Sequence, residues 1–180
     1  MGRFDNLETA QGATALVQSL FADVKDCFEQ HGTVEPVCFL FMTVDPATEE
    51  AYEAVKVGRV DGDMSDPMKV QHFESTVRLL VQKSRAIGVL HIFEAAMFEV
   101  SSDEMPTDVE ALNQLLEVEA IEEPKKVIVA TFEHLRTKPM VWRAEIQATP
   151  EKPVLGEFED QECDYSAPDS QFANWLNIWN

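Results

Sequence analysis

Gly88-Val89-Leu90-His91-Ile92-Phe93-Glu94-Ala95-Ala96-Met97 is interrupted by only two polar side chains, His91 and Glu94. An apolar stretch of this kind, extending from Val89 to Val100, fits a central strand covered on both faces. In a regular strand Leu90, Ile92, Glu94, Ala96 and Phe98 share one face, and Val89, His91, Phe93, Ala95 and Met97 share the other. Glu94 therefore stands in the middle of an apolar row. A carboxylate in that place must be paired or protonated, because an isolated buried charge is costly.

Downstream, Lys126 to Leu135 and Met140 to Ala148 read as two strands joined by the hairpin connection Arg136-Thr137-Lys138-Pro139. Glu133 and His134 lie near the hairpin end, and Arg143 and Glu145 alternate on one face of the last strand. Glu94, Glu133, His134, Arg143 and Glu145 are thus expected to converge as a polar patch on or beside the sheet. Two readings follow. Glu94, Glu133 and Glu145 would be the catalytic candidates of a divalent-metal hydrolase or nuclease, where carboxylates hold an ion that activates water. Alternatively, Glu94 and Arg143 form a structural pair. The Asp-then-Glu-x-Lys order of small nuclease cores is absent.

Upstream, Ala10, Ala13, Val17, Leu20, Phe21, Val24 and Phe28 recur at helical steps within residues 6–31, and Gly32 ends that helix. Val37 to Val44 is an uninterrupted apolar strand, and Tyr52 to Val60 a second strand. Ser65-Asp66-Pro67 starts a helix carrying Val70, Phe73, Val77, Leu80 and Val81. Thr107 or Asp108 can cap a short helix through Leu112, Leu115 and Leu116. The order α-β-β-α-β-α-β-β predicts a single α+β domain over residues 1–149, with a mixed or mainly antiparallel sheet of about five strands. Residues 150–180 read as an acidic tail. Its end, with Phe172, Trp175, Leu176 and Trp179 at helical spacing, either docks back on the domain or anchors in a partner's groove.

The segments Gly88 to Met97, Pro124 to His134 and Val141 to Ile146 resemble small uncharacterised α+β proteins of phages and bacteria. These share a Glu-Ala-Trp-Met-like strand, an apolar strand ending in an acidic residue, and a final strand containing Trp. Ala96 stands where that resemblance leads one to expect an aromatic. It spans residues 88–146 and implies an α+β fold and a phage or mobile-element origin. It carries no assigned activity.

The chain has 180 residues, 45% apolar and 26% charged, which suits one globular domain. Its 33 acids against 14 bases give a formal net charge of -19. Such a balance argues against direct binding of nucleic acid or anionic membrane. The acids are unevenly placed: residues 103–123 hold eight and no base. Cys27, Cys38 and Cys163 form no CxxC pair, which fits a reducing cytoplasm, the host's if the protein is phage-encoded. The four histidines fall on four different elements with no HExxH, and Asp61-Gly62-Asp63 lacks the later Glu of a calcium loop. There is no GxSxG and no glycine-rich phosphate loop. Neither a metal nor a cofactor is expected.

The reading that results is an acidic, non-catalytic interaction protein. Its partner would be a basic, nucleic-acid-handling protein of a host, bound through carboxylates that imitate DNA phosphates or act as an inhibitor. Asp103, Glu104, Asp108, Glu110, Glu157, Glu159 and Asp160, with Phe172, Trp175 and Trp179, are the candidate partner-binding residues. The alternatives are the metal enzyme above and a self-assembling structural component, a homodimer through a sheet edge or the Trp stripe. Acidity that confers solubility alone is the plain rival.

Overall fold

Thr9 opens the first helix: its side chain accepts a hydrogen bond from the Gly12 amide at 3.0 Å, and α1 runs from Ala10 to His31. Gly32 closes it at φ 73°, a left-handed conformation natural to glycine, with its N–H donating to the Phe28 carbonyl at 2.7 Å. The computed structural model describes residues 3–5, 9–43, 51–58, 67–97, 125–161 and 175–176. In chain order the remaining elements are β1 (Arg3–Asp5), β2 (Val37–Thr43), β3 (Ala51–Gly58), α2 (Pro67–Ser84), β4 (Gly88–Met97), β5 (Lys125–His134), β6 (Met140–Gln147), β7 (Val154–Leu155) and β8 (Glu159–Gln161).

The fold is α+β, with one open sheet in the order β1-β3-β2-β4-β5-β6-β7 and β8 also paired to β6. Every pairing is antiparallel. The register Leu90↔Phe132, Ile92↔Ala130 and Val37↔Ile92 aligns side chains of like parity across β2, β4 and β5. One face therefore carries Val37, Phe41, Leu90, Ile92, Ile128, Ala130, Phe132, Trp142 and Ala144, packed against Ala13, Leu16, Val17, Phe21, Val24 and Phe28 of α1. The other carries Cys38, Leu40 and Val89 against Phe73, Val77 and Val81 of α2. Burying each of these large side chains stabilises the fold by about 1.5–3 kcal/mol. Gly88 lets β4 start in close contact with β5, since a Cβ there would lie 3.2 Å from the His134 ring.

The alternation expected along β4 is the one observed. Both long helices and the β5–β6 hairpin also lie where the sequence placed them, with α1 starting at Ala10 rather than residue 6. Two expectations need correction. The sheet has more than five strands, because the N-terminal Arg3–Asp5 pairs with β3. The boundary expected at residue 149 falls inside the sheet, because β7 and β8 both pair along the outer edge of β6. Val141↔Gln161 to Arg143↔Glu159 is one register, and Ile146↔Leu155 and Gln147↔Val154 are shifted from it by one residue. Residues 154–161 are thus one edge strand interrupted by a β-bulge. The bulge sends Phe158 onto Phe21 of α1, their rings stacked with centroids 3.3 Å apart. The helix expected between Thr107 and Leu116 lies outside the described residues. Of the expected C-terminal helix, only residues 175–176 are described, and they form a turn.

Candidate functional site

The register separates the three carboxylates of the expected enzyme site. Glu94 pairs in register with Ile128, and Ile128 with Ala144, so Glu94 lies on the α1 side of the sheet. Glu133 pairs with Val89 and lies on the α2 side. Glu145 pairs with Val127 on that second side, six residues along β5 from Glu133, or roughly 20 Å at strand spacing. Glu94, Glu133 and Glu145 do not converge, and among the described residues no group of His, Cys, Asp and Glu is placed to hold a metal. The expected Glu94–Arg143 pair is absent for the same reason, since Arg143 projects from the other face. Glu94 instead accepts from the Thr33 hydroxyl at 3.0 Å and lies 3.7 Å from the Lys126 ammonium. Arg143 reaches the Met97 sulfur at 2.9 Å.

A buried polar row occupies the α2 face, which parity within single strands did not reveal. Cys38 faces His91 across β2 and β4, and His91 faces Thr131 across β4 and β5. Glu133, fully buried, follows two residues along β5. Trp175 lies over this row at 3% exposure, its ring edge-on to His91 with centroids 5.4 Å apart and the Arg78 guanidinium 5.3 Å from its centre. The Leu176 amide donates to Glu133 Oε2 at 3.3 Å. Trp175 therefore belongs to the chain's own core and does not serve as an exposed anchor. Burial pushes the His91 imidazole down to about 4. Burial, with the Glu133 charge adding to it, pushes the Cys38 thiol far above its ordinary range. A neutral imidazole beside a protonated thiol is the reverse of what a nucleophilic Cys–His pair requires. The row is part of the packing.

The acidic surface is distributed differently from these buried groups. Of the chain's 33 acids, 14 lie in the described residues, as do 13 of its 14 bases. The described scaffold is thus close to neutral, and the excess charge resides in the connecting and terminal residues around it. Asp103, Glu104, Asp108 and Glu110 belong to that group and, with Phe172 and Trp179, lie outside the described residues. Glu157, Glu159 and Asp160 are exposed along the bulged edge strand. On α1, Asp23, Asp26 and Glu29 are exposed, and the helix's one lysine, Lys25, is drawn to Glu157 at 3.2 Å.

A groove of about 650 Å³ lies between the C-terminal half of α1 and strands β2 and β3. Leu20, Val24 and Phe39 are among its apolar lining, and Asp23, Glu35 and Lys56 among its charged groups. Sequence reasoning missed it because α1 was known to have one apolar stripe, but not which strands that stripe would leave uncovered. Among the described residues, no helix is long and apolar enough to cross a membrane. No family model, curated protein or solved structure matches the chain.

Proposed function

We propose that this chain is an acidic, non-catalytic interaction protein that binds a basic, nucleic-acid-handling protein and competes with DNA for it. The observation that carries the reading is the segregation of charge along the sequence: the described residues are nearly neutral, and the residues between and after them carry almost all of the net charge of -19. Acidic segments speed encounter with a positive surface and select against negative ones. The separation of Glu94, Glu133 and Glu145 weighs against the hydrolase alternative. A phage origin and action in the host cytoplasm rest on the resemblance of residues 88–146 and on the widely spaced cysteines.

The test is capture from nuclease-treated bacterial lysate on the immobilised full chain, at low and at high salt, with the retained proteins identified by mass. The expected result is a small set of basic nucleic-acid-binding proteins held at low salt and shed at high salt. Retention of nothing at either salt, or of a set with no excess of basic proteins, contradicts the reading and leaves the acidity as a device for solubility.

A further inference from the structure

We infer that the groove between α1 and strands β2 and β3 seats an amphipathic, basic helix of the partner protein. This inference rests on the proposed function and names the place where the partner docks. Three features point to that occupant.

The first is shape. Helix α1 packs toward β6 and β7, as the Phe21–Phe158 stack and the Lys25–Glu157 contact show, and among the described residues the β2–β3 side of the same face is less covered. Phe39 and Ala54 are there only half-buried and Lys56 is exposed. A helix laid beside α1 would complete a second helical position on that face, the ordinary way a sheet buries its apolar surface.

The second is the chemistry of the floor. Leu20, Val24 and Phe39 offer apolar contact for residues spaced i, i+3, i+4 and i+7 on a docked helix. The third is charge. Asp23 and Glu35 stand on the lining and are exposed at its rim. The one lysine of α1 is engaged with Glu157 on the opposite flank, so the helix wall of the groove presents the Asp23 carboxylate and the His31 imidazole and no ammonium. Lys56, on the strand wall, is the one Lys or Arg of the lining. An acidic rim over an apolar floor matches a helix with lysines and arginines flanking an apolar stripe.

The probe is a fluorescein-labelled helical peptide with leucines at i, i+3, i+4 and i+7 and lysines and arginines elsewhere, titrated with the full chain and read by anisotropy. A scrambled peptide of the same composition and a plain polylysine serve as comparisons. The charge reversals Asp23→Lys and Glu35→Lys, made together, are set against Glu74→Lys and Glu151→Lys, two exposed acids away from the groove that change the net charge equally. The inference expects the groove pair to weaken the amphipathic peptide by about tenfold and the control pair by about twofold or less. In a Cys163→Ser background, where Cys27 lines the groove and Cys38 is buried, a bulky maleimide is expected to label Cys27 readily, and bound peptide to slow that labelling.

Equal weakening by the two pairs overturns the docking site, as does equal binding of the scrambled peptide. A Cys27 that resists the reagent in the free chain also overturns it, because the groove is then filled by the chain itself or by a second copy. If polylysine binds with strong salt dependence in any of those cases, the proposed function stands and only the groove is lost. If neither peptide nor polylysine binds, both fall.

Discussion

On the α1 side of the sheet, Leu90, Ile92, Ile128, Ala130, Phe132 and Trp142 meet Phe21, Val24 and Phe28, and among the described residues the one ionisable side chain buried in that layer is His134, stacked on Phe132. Glu94 and His134 stand at its two ends. The α2 side uses the same strands, yet it buries Cys38, Thr131 and Glu133, half-buries His91 beside them, and closes over them with Trp175. His91 Nε2, Thr131 Oγ1 and Trp175 Nε1 find no hydrogen-bond partner among the described residues. One layer is therefore held by dispersion and apolar burial, which depend little on pH. In the other, polar groups are kept in their uncharged or internally bonded forms by a cover that comes from the end of the chain. The contrast teaches that the sheet's two sides, though built on one register, differ in what they can withstand.

The sharpest way to break the contrast is a truncation on the apolar side. Phe132 is fully buried and meets Phe41 edge-on at 5.9 Å, so Phe132→Ala is expected to cost about 3–5 kcal/mol, read from urea unfolding midpoints. That loss should be the same at pH 7 and pH 5.

Acid sharpens the other half of the comparison. The His91 imidazole titrates near 4 in the folded chain and near 6.5 when unfolded, so between those values the unfolded chain binds more protons. The contribution is complete above pH 6.5 and is lost as pH falls towards 4. The shift corresponds to about 3 kcal/mol at the acid end. Unfolding curves of the wild type and His91→Gln, compared across this window, should converge as pH falls. Parallel curves would show that His91 is not held neutral by its burial.

Trp175→Ala should have a smaller effect, about 2 kcal/mol, because Trp175 packs on the sheet from outside its strands and the strand pairings do not depend on it. The same variant should flatten the pH dependence, since His91 then meets water in the native state. Smallest of all is Lys25→Ala. Its partner Glu157 is 90% exposed, so the ion pair should contribute no more than about 0.5 kcal/mol and less in high salt.

Much of the scaffold was legible from local pattern. Helical spacing from Ala13 to Phe28, the Ser65-Asp66-Pro67 start, and alternation along Val89 to Met97 each reflect burial that leaves a trace in sequence. Parity inside β4 correctly set Glu94 apart from His91. Parity between strands was not legible, because it depends on register. The pairing of Glu94 with Ile128 and of Ile128 with Ala144 fixes Arg143 on the far side, and nothing in the residue types announces this. The edge strand of residues 154–161 was missed for a related reason. Pro153, Gly156 and three acids hide any strand pattern, and the pairing comes from the open edge of β6 rather than from their own propensity. The polar row around His91 shares that origin, since its members come from three separate strands. The aromatic spacing near the C-terminus was visible, and it favoured docking on the domain over docking on a partner, which the burial of Trp175 bears out for that residue.

The central claim, that the charge displayed around a neutral scaffold binds a basic partner, is tested most directly by the salt dependence of affinity for a captured partner. The full chain is compared with a variant carrying Asp103→Asn, Glu104→Gln, Asp108→Asn and Glu110→Gln. The account predicts a steep fall of log affinity with log salt for the wild type and a shallower fall, with weaker low-salt binding, for the variant. An affinity indifferent to salt, or a slope that neutralising those four acids leaves unchanged, would contradict it.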